Sequence, residues 1–266
     1  MEFVGLGKSA DKLPVVGMGT WKMGRNPNEE IAALKEGIRL GSRFIDTAEM
    51  YACEDLVGEA VKGQGEVFIA SKVSPHHFHY EDVIKACERS VTQLGVKPID
   101  LYQLHWPNKS VDISETMKAM EELADRGMIR HIGVSNFSLD ELKEAQAAMK
   151  RHEIVSNQIE YNVMERPDPL LLDYCRKEKV TIIAYSPLGQ GSLYSQGNSG
   201  VLERLAGIGS RHGKTASQAA LNWLISKGNV SAIPKSGSME HVRENVGASG
   251  WRLSQEDMRE IDSFLG

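Results

Sequence analysis

Four side chains among the first 105 residues carry what a proton transfer needs: the Asp46 carboxylate, the Tyr51 phenol, the Lys72 ammonium and the His105 imidazole. A phenol with its ordinary pKa of ~10 donates weakly at neutral pH, and a nearby ammonium favours the phenolate and lowers that value. Lys72 is the expected perturber of Tyr51. Asp46 supplies the counter-charge that fixes the lysine, and His105 can hydrogen-bond and orient a substrate oxygen. No side chain supplies hydride, so a reduction built on this set implies a nicotinamide. Each residue alone has an ordinary structural reading: Asp46 as a helix cap, Tyr51 packed on a helix start, Lys72 as a solvated strand end, His105 as a core histidine. Taken as an ordered set, they favour chemistry.

Such a set must be positioned by elements far apart in the chain. Apolar runs rich in β-branched residues recur at Val15–Met18, Phe44–Ile45, Val67–Ala70, Leu101–Leu104, Ile129–Val134, Val155–Ile159, Thr181–Ala184 and Val230–Ile233, and each predicts a buried strand. Between them, helical spacing covers Glu29–Leu40, Glu54–Val61, Tyr80–Leu94, Ser114–Arg126, Leu139–Met149, Pro169–Lys177 and Thr215–Ser226. Ser114 before Glu115, Ser138 three residues before Glu141, and Pro169 read as helix starts; Gly41, Gly95, Gly127 and Gly228 read as C-caps. About eight strand–helix repeats match a TIM barrel of ~250 residues, with a doubly wound open sheet as the alternative. The polar residues decide between them. Thr20, Asp46, Lys72, His105, Ser135, Asn136, Gln158, Tyr185, Ser186 and Lys235 follow the apolar runs, as a ring around one barrel mouth requires. The expected fold is a single (β/α)₈ domain over residues 1–266.

Composition narrows the function. The 266 residues carry a formal net charge of -5 without long like-charge runs, which removes the basic footprint that nucleic-acid binding needs. The longest uncharged stretch, Thr181–Leu202, is broken by Pro187 and several glycines and predicts a strand followed by a loop, not a membrane helix. The N-terminus lacks the pattern of a secretory signal, so the expected location is the cytoplasm. Cys53, Cys87 and Cys175 show no metal or disulfide spacing. Pro75-His76-His77-Phe78-His79 has no second ligand set at a recognisable spacing and predicts a substrate-side loop, so no metal is expected. Gly5-Leu6-Gly7-Lys8-Ser9-Ala10 imitates a dinucleotide fingerprint, but Pro14 follows too soon for a helix, and a hairpin turn closing the barrel floor is expected instead. Gly213-Lys214-Thr215 imitates a P-loop but has Ile208 where its first glycine must stand.

The motifs Asp46-Thr47-Ala48-Glu49-Met50-Tyr51 with Glu54 and Gly58, Ser71-Lys72, Leu104-His105-Trp106-Pro107, Ile132-Gly133-Val134-Ser135-Asn136-Phe137, Ala184-Tyr185-Ser186-Pro187-Leu188 and Ile233-Pro234-Lys235-Ser236 resemble, in order, the aldo-keto reductase family. The resemblance runs from about Leu13 to the C-terminus. It implies Tyr51 as general acid, Lys72 and Asp46 as its activating pair, and His105 as the substrate-orienting residue. It implies Ser135, Asn136 and Gln158 at the nicotinamide carboxamide, Tyr185 stacked on the ring, and Gly19-Thr20-Trp21 beside cofactor and substrate. Ser186 and Leu188 fall where the family holds the pyrophosphate; Ile233, Lys235, Ser236, His241 and Asn245 fall at the adenosine-phosphate end. Trp21 and Trp106 would wall a pocket for a small carbonyl compound.

Two departures sharpen these expectations. Where NADPH-preferring members carry an arginine for the 2′-phosphate, this sequence has His241, with Arg243 nearby. A histidine is largely neutral at neutral pH and lacks arginine's five-donor fork, so NADPH should be preferred by a reduced margin, with usable NADH activity. The chain also stops just past a helix expected over Gln255–Phe264, short of the tail many members carry, which predicts an open pocket and broad aldehyde acceptance. A monomer is expected. The competing readings are a nucleotide-binding regulatory barrel without turnover and an unrelated phosphate-handling isomerase.

Overall fold

The computed structural model describes residues 1–265; Gly266, the last residue of the expected domain, lies outside the described residues. In chain order its elements are β1 (Phe3–Gly5), β2 (Lys12–Pro14), β3 (Met18–Gly19), α1 (Pro27–Arg39), β4 (Phe44–Asp46), α2 (Glu54–Val61), β5 (Phe68–Val73), α3 (Tyr80–Leu94), β6 (Ile99–Leu104), α4 (Ile113–Asp125), β7 (Ile129–Ser135) and α5 (Leu139–Ala148). There follow β8 (Ile154–Glu160), α6 (Pro169–Glu178), β9 (Thr181–Tyr185), α7 (Ser199–Arg211), α8 (Ala216–Ile225), β10 (Val230–Ala232), α9 (Met239–Val246) and α10 (Gln255–Asp262). Strands β3 to β10 pair in sequence order, all parallel. Parallel bridges Val16↔Ala232 and Gly19↔Lys235 join the first to the last and close a (β/α)₈ barrel.

The hairpin β1–β2 plugs the floor. Leu6 and Leu13 are fully buried beneath the barrel, Thr181 Oγ1 accepts from Gly7 N–H at 2.8 Å, and Ser231 Oγ donates to Pro14 O at 2.8 Å. Gly7 has φ +58 and lies so close to Val155 that an added Cβ would sit 2.8 Å from its Cβ, so the motif that imitates a dinucleotide fingerprint is a turn pressed against the floor.

Register explains which polar residues meet. Strand partners in a parallel sheet point to the same side, and alternate residues along a strand share a face. Asp46 pairs with Ala70, and Lys72, two residues on, pairs with Gln103. Gln103 pairs with Gly133; Ser135, two residues on, pairs with Gln158, and Glu160 pairs with Tyr185. All of these face the interior. Gly133 makes the room, because a Cβ there would come within 3.0 Å of Gln103 Cγ and 2.5 Å of Ser156 Oγ.

Two helices escape the sequence pattern. The end of the stretch expected to be loop is helical from Ser199, where Gly200, Gly207 and Gly209 dilute the apolar spacing of α7. Helix α9 buries only Val242 and Asn245, too little for a periodic signal. The start expected at Ser114 lies earlier, because Asp112 caps α4 by accepting from Ser114 N–H at 2.9 Å. The Ser138–Glu141 capping box, Pro169 at a first turn, and left-handed Gly41, Gly95, Gly127 and Gly228 are as expected. Among the described residues no helix is long and apolar enough to cross a membrane.

Candidate active site

Strand ends bring the four reactive groups together. Lys72 is fully buried inside β5, where its Nζ donates to Asp46 Oδ1 at 2.5 Å, to Thr47 O at 2.8 Å and to Tyr51 OH at 3.4 Å. Tyr51 ends a single 3₁₀ turn, Glu49–Tyr51, after β4, and its hydroxyl lies 3.4 Å from His105 Nε2. The second Asp46 oxygen accepts from Gln103 Nε2 at 3.2 Å and Gln158 Nε2 at 2.7 Å. A buried ion pair persists only when its remaining lone pairs are satisfied, and the two amides do this for Asp46.

Burial works to remove the proton from Lys72, but Asp46 and Tyr51 more than offset it and hold its pKa above the usual lysine range. Lys72 stays charged. For Tyr51 the balance differs from the sequence expectation: burial raises the phenol above its ordinary value, and Lys72 lowers it by less. Asp46, 2.5 Å from the ammonium, also raises the phenol and so works against Lys72, which lies 3.4 Å from it. His105 is pushed down to about 3, first by burial and then by Lys72, so its imidazole is neutral. Its Nδ1 is buried without a partner among the described residues, which leaves Nε2, beside the phenol, as the atom free to meet a substrate.

Tyr51 and His105 open onto a cavity of about 980 Å³ that extends past Ser135, Asn136, Gln158 and Tyr185 to Lys235, His241 and Asn245. Gly19, Thr20, Ser186, Leu188 and Ile233 also line it, and Trp21 and Trp106 stand half-exposed at its rim. The size and mixed lining suit a nucleotide together with a small substrate. Asn136, in a left-handed conformation at φ 63, is held by His105 O, Ser135 Oγ and the Tyr185 hydroxyl. Gln158 Nε2 is committed to Asp46, while its Oε1 carries no protein hydrogen bond among the described residues. That oxygen can accept from a carboxamide. Farther along, Gly189, Gln190 and Gly191 all have positive φ; the Gly189 and Gly191 amides donate to Ser186 O and Leu188 O within the turn, and Gln190 and Gly191 line the cavity. The donor set therefore fits a nicotinamide dinucleotide.

Two expectations shift. Ser236 Oγ is occupied within its own turn, donating to Ser238 O and accepting from Ser238 N–H, and does not line the cavity. Nor does any residue of Pro75–His79, which follows the mouth end of β5 without lining the cavity; His77 and His79 face Glu49 and Glu115. Among the described residues no three His, Cys, Asp or Glu side chains converge as a metal site. Sequence reasoning missed Gln103, Met50 and Glu160. Strand alternation back from His105 and on from Gln158 could have placed Gln103 and Glu160, whereas nothing local marks Met50.

Known proteins resemble this chain in sequence and in fold. The profile of the Aldo/keto reductase family matches residues 15–265. Methylglyoxal reductase YeaE of Escherichia coli (strain K12) is 38% identical over 260 residues, spanning 94% of this chain and 90% of that protein. A thermostable aldo-keto reductase, Tm1743, solved with the inhibitor epalrestat, superposes with a TM-score of 0.91 at 40% identity, covering 99% of both chains. The Klebsiella pneumoniae aldo/keto reductase, solved with NADP and acetate, superposes with a TM-score of 0.88 at 35% identity, covering 98% of this chain and 94% of that one. With that match laid over a closed barrel whose mouth carries Asp46, Tyr51, Lys72 and His105, this chain belongs to the aldo/keto reductase family.

Proposed function

We propose that this protein reduces small aldehydes and ketones with a nicotinamide nucleotide, NADPH ahead of NADH, and that Tyr51 delivers the proton. The observation that carries the reading is the buried chain from Asp46 through Lys72 to Tyr51, ending beside His105 at the cavity wall. It is supported by the methylglyoxal reductase name of the Escherichia coli relative and by NADP in the Klebsiella structure.

A reduced nicotinamide bound along this cavity supplies hydride. Gln158, Asn136 and Ser135 would hold its amide end, the Tyr185 ring would pack against it, and Lys235 with His241 would meet the far phosphate. Neutral His105 donates from Nε2 to the substrate oxygen, and Tyr51, protonated at neutral pH, gives its proton to that oxygen as charge develops. Charged Lys72 then stabilises the phenolate left behind. The half-exposed rim of Trp21, Met50 and Trp106 suits varied small carbonyls. The site is complete within one chain, as a monomer requires, and the free, buried Cys53, Cys87 and Cys175 suit the cytoplasm.

The test is oxidation of NADPH and NADH by methylglyoxal, followed by absorbance, for the wild type and Tyr51→Phe. The variant should lose ~10²–10⁴-fold in kcat with nucleotide binding intact. Nucleotide binding without turnover in the wild type would make the protein a regulatory barrel. A near-normal kcat in Tyr51→Phe, with chemistry rate-limiting, would remove the phenol from the mechanism.

A further inference from the structure

The histidine-rich segment after β5 neither lines the cavity nor assembles a metal site, yet His77 and the preceding Ser74 both meet Glu49, the residue that opens the turn carrying Tyr51. Glu49 Oε1 accepts from Ser74 N–H and lies 3.1 Å from His77 Nδ1; Oε2 lies 3.2 Å from the same nitrogen and 3.6 Å from an Arg89 guanidinium nitrogen. The Glu49 side chain is only 14% exposed. Ser74 stands two residues after Lys72. The next residue, Pro75, accepts from Asn108 Nδ2 at 2.8 Å through its carbonyl, and Asn108 lies three residues after His105. The segment thus ties together the turn with the phenol, the strand with the ammonium and the loop with the imidazole.

The phenol needs such a hold. Both hydrogen bonds to its oxygen are long, at 3.4 Å, and the turn ends at Ala52 in the left-handed region, φ 52. A non-glycine residue stays there only where its surroundings impose it. An unanchored turn would let the hydroxyl drift from Lys72 and His105, and misplacement of a reacting group by about 1 Å costs on the order of 10²-fold in rate.

We propose that Glu49 is the positioning residue for the proton donor, its carboxylate clamping the Tyr51 turn to the backbone that follows Lys72. This rests on the reading of Tyr51 as donor. Glu49 touches neither substrate nor cofactor; it acts through the phenol.

A double-mutant cycle tests it, with folding checked by circular dichroism and thermal melting. Glu49→Ala should lower kcat by roughly 10–100-fold, while KM and the nucleotide Kd from tryptophan fluorescence move less than about threefold. In the Tyr51→Phe background the same substitution should cost nothing further, because no hydroxyl remains to be aimed. Glu49→Gln keeps an acceptor for Ser74 N–H but loses the charge facing His77 and Arg89. It should show a smaller loss, again absent without the phenol, and it carries the test if Glu49→Ala does not fold. An equal loss in both backgrounds, or an unchanged kcat in the folded single variants, overturns the clamp. A near-normal kcat in Tyr51→Phe alone overturns the donor assignment instead.

Discussion

Arg243 donates its Nε–H to Glu36 Oε1 at 2.7 Å, and Arg39 grips the same carboxylate at 2.7 and 2.8 Å. Arg39 first and Arg243 second hold the Glu36 carboxyl down to about 2, so the cluster is fully charged. Committed there, Arg243 does not line the cavity, whereas His241 on the same helix does, alongside Lys235.

His241→Arg should therefore raise the NADPH:NADH ratio of kcat/KM by about tenfold, the worth of one charged hydrogen bond to phosphate. Lys235→Ala should lower the ratio, and Arg243→Ala should leave it alone. Steady-state kinetics with both nucleotides checks this. A ratio that collapses in Arg243→Ala would mean that this arginine leaves Glu36 to meet the phosphate.

Because burial holds the Tyr51 phenol above its ordinary value, the donor stays protonated through the neutral range. The kcat for reduction should be level between about pH 6 and 9 and fall only above the usual phenol pKa of ~10. Lys72→Met should slow reduction and push that alkaline decline still higher, since the group that lowers the phenol's pKa is gone. It also strands Asp46 in the core, at a cost of roughly 3–5 kcal/mol. Lys72→Met combined with Asp46→Asn should regain part of the lost melting temperature without regaining rate. An unchanged pH profile in a folded Lys72→Met would leave the lysine as scaffold alone.

His105 predicts an acid-side effect on stability. Its folded pKa of about 3 lies below the unfolded value of ~6.5, so between these limits the unfolded chain binds the proton that the native imidazole refuses. Stability from this residue is complete above about pH 6.5 and drains away as pH falls toward 3. Urea unfolding at pH 7 and pH 4.5 should show a smaller loss for His105→Asn than for the wild type. Equal losses would place the titration elsewhere.

The sequence alone determined what depends on local pattern. Alternating apolar runs and helical faces dictate strand–helix repeats, the ring of polar residues after the runs favours the barrel over an open sheet, and alternation behind Lys72 and Gln158 carries those polar groups inward at strand ends. The Ser138–Glu141 box and the Gly7 turn were likewise local, because capping and left-handed backbone depend on neighbours in the chain. Tertiary structure decided what depends on distance. No local feature says that Gln103 and Gln158 will share the Asp46 carboxylate, that Ser236 will turn back on Ser238, or that Arg243 rather than His241 will find Glu36. The Tyr51 phenol is the clearest case: the pairing with Lys72 was readable, but the direction of the pKa shift was not. That direction is a contest between burial, set by the whole packed mouth and joined by the Asp46 charge, and an ammonium 3.4 Å away that sits 2.5 Å from Asp46. Such differences of a fraction of an ångström arise only when strands far apart in the chain are packed together, and Coulomb energies at close range depend on them steeply.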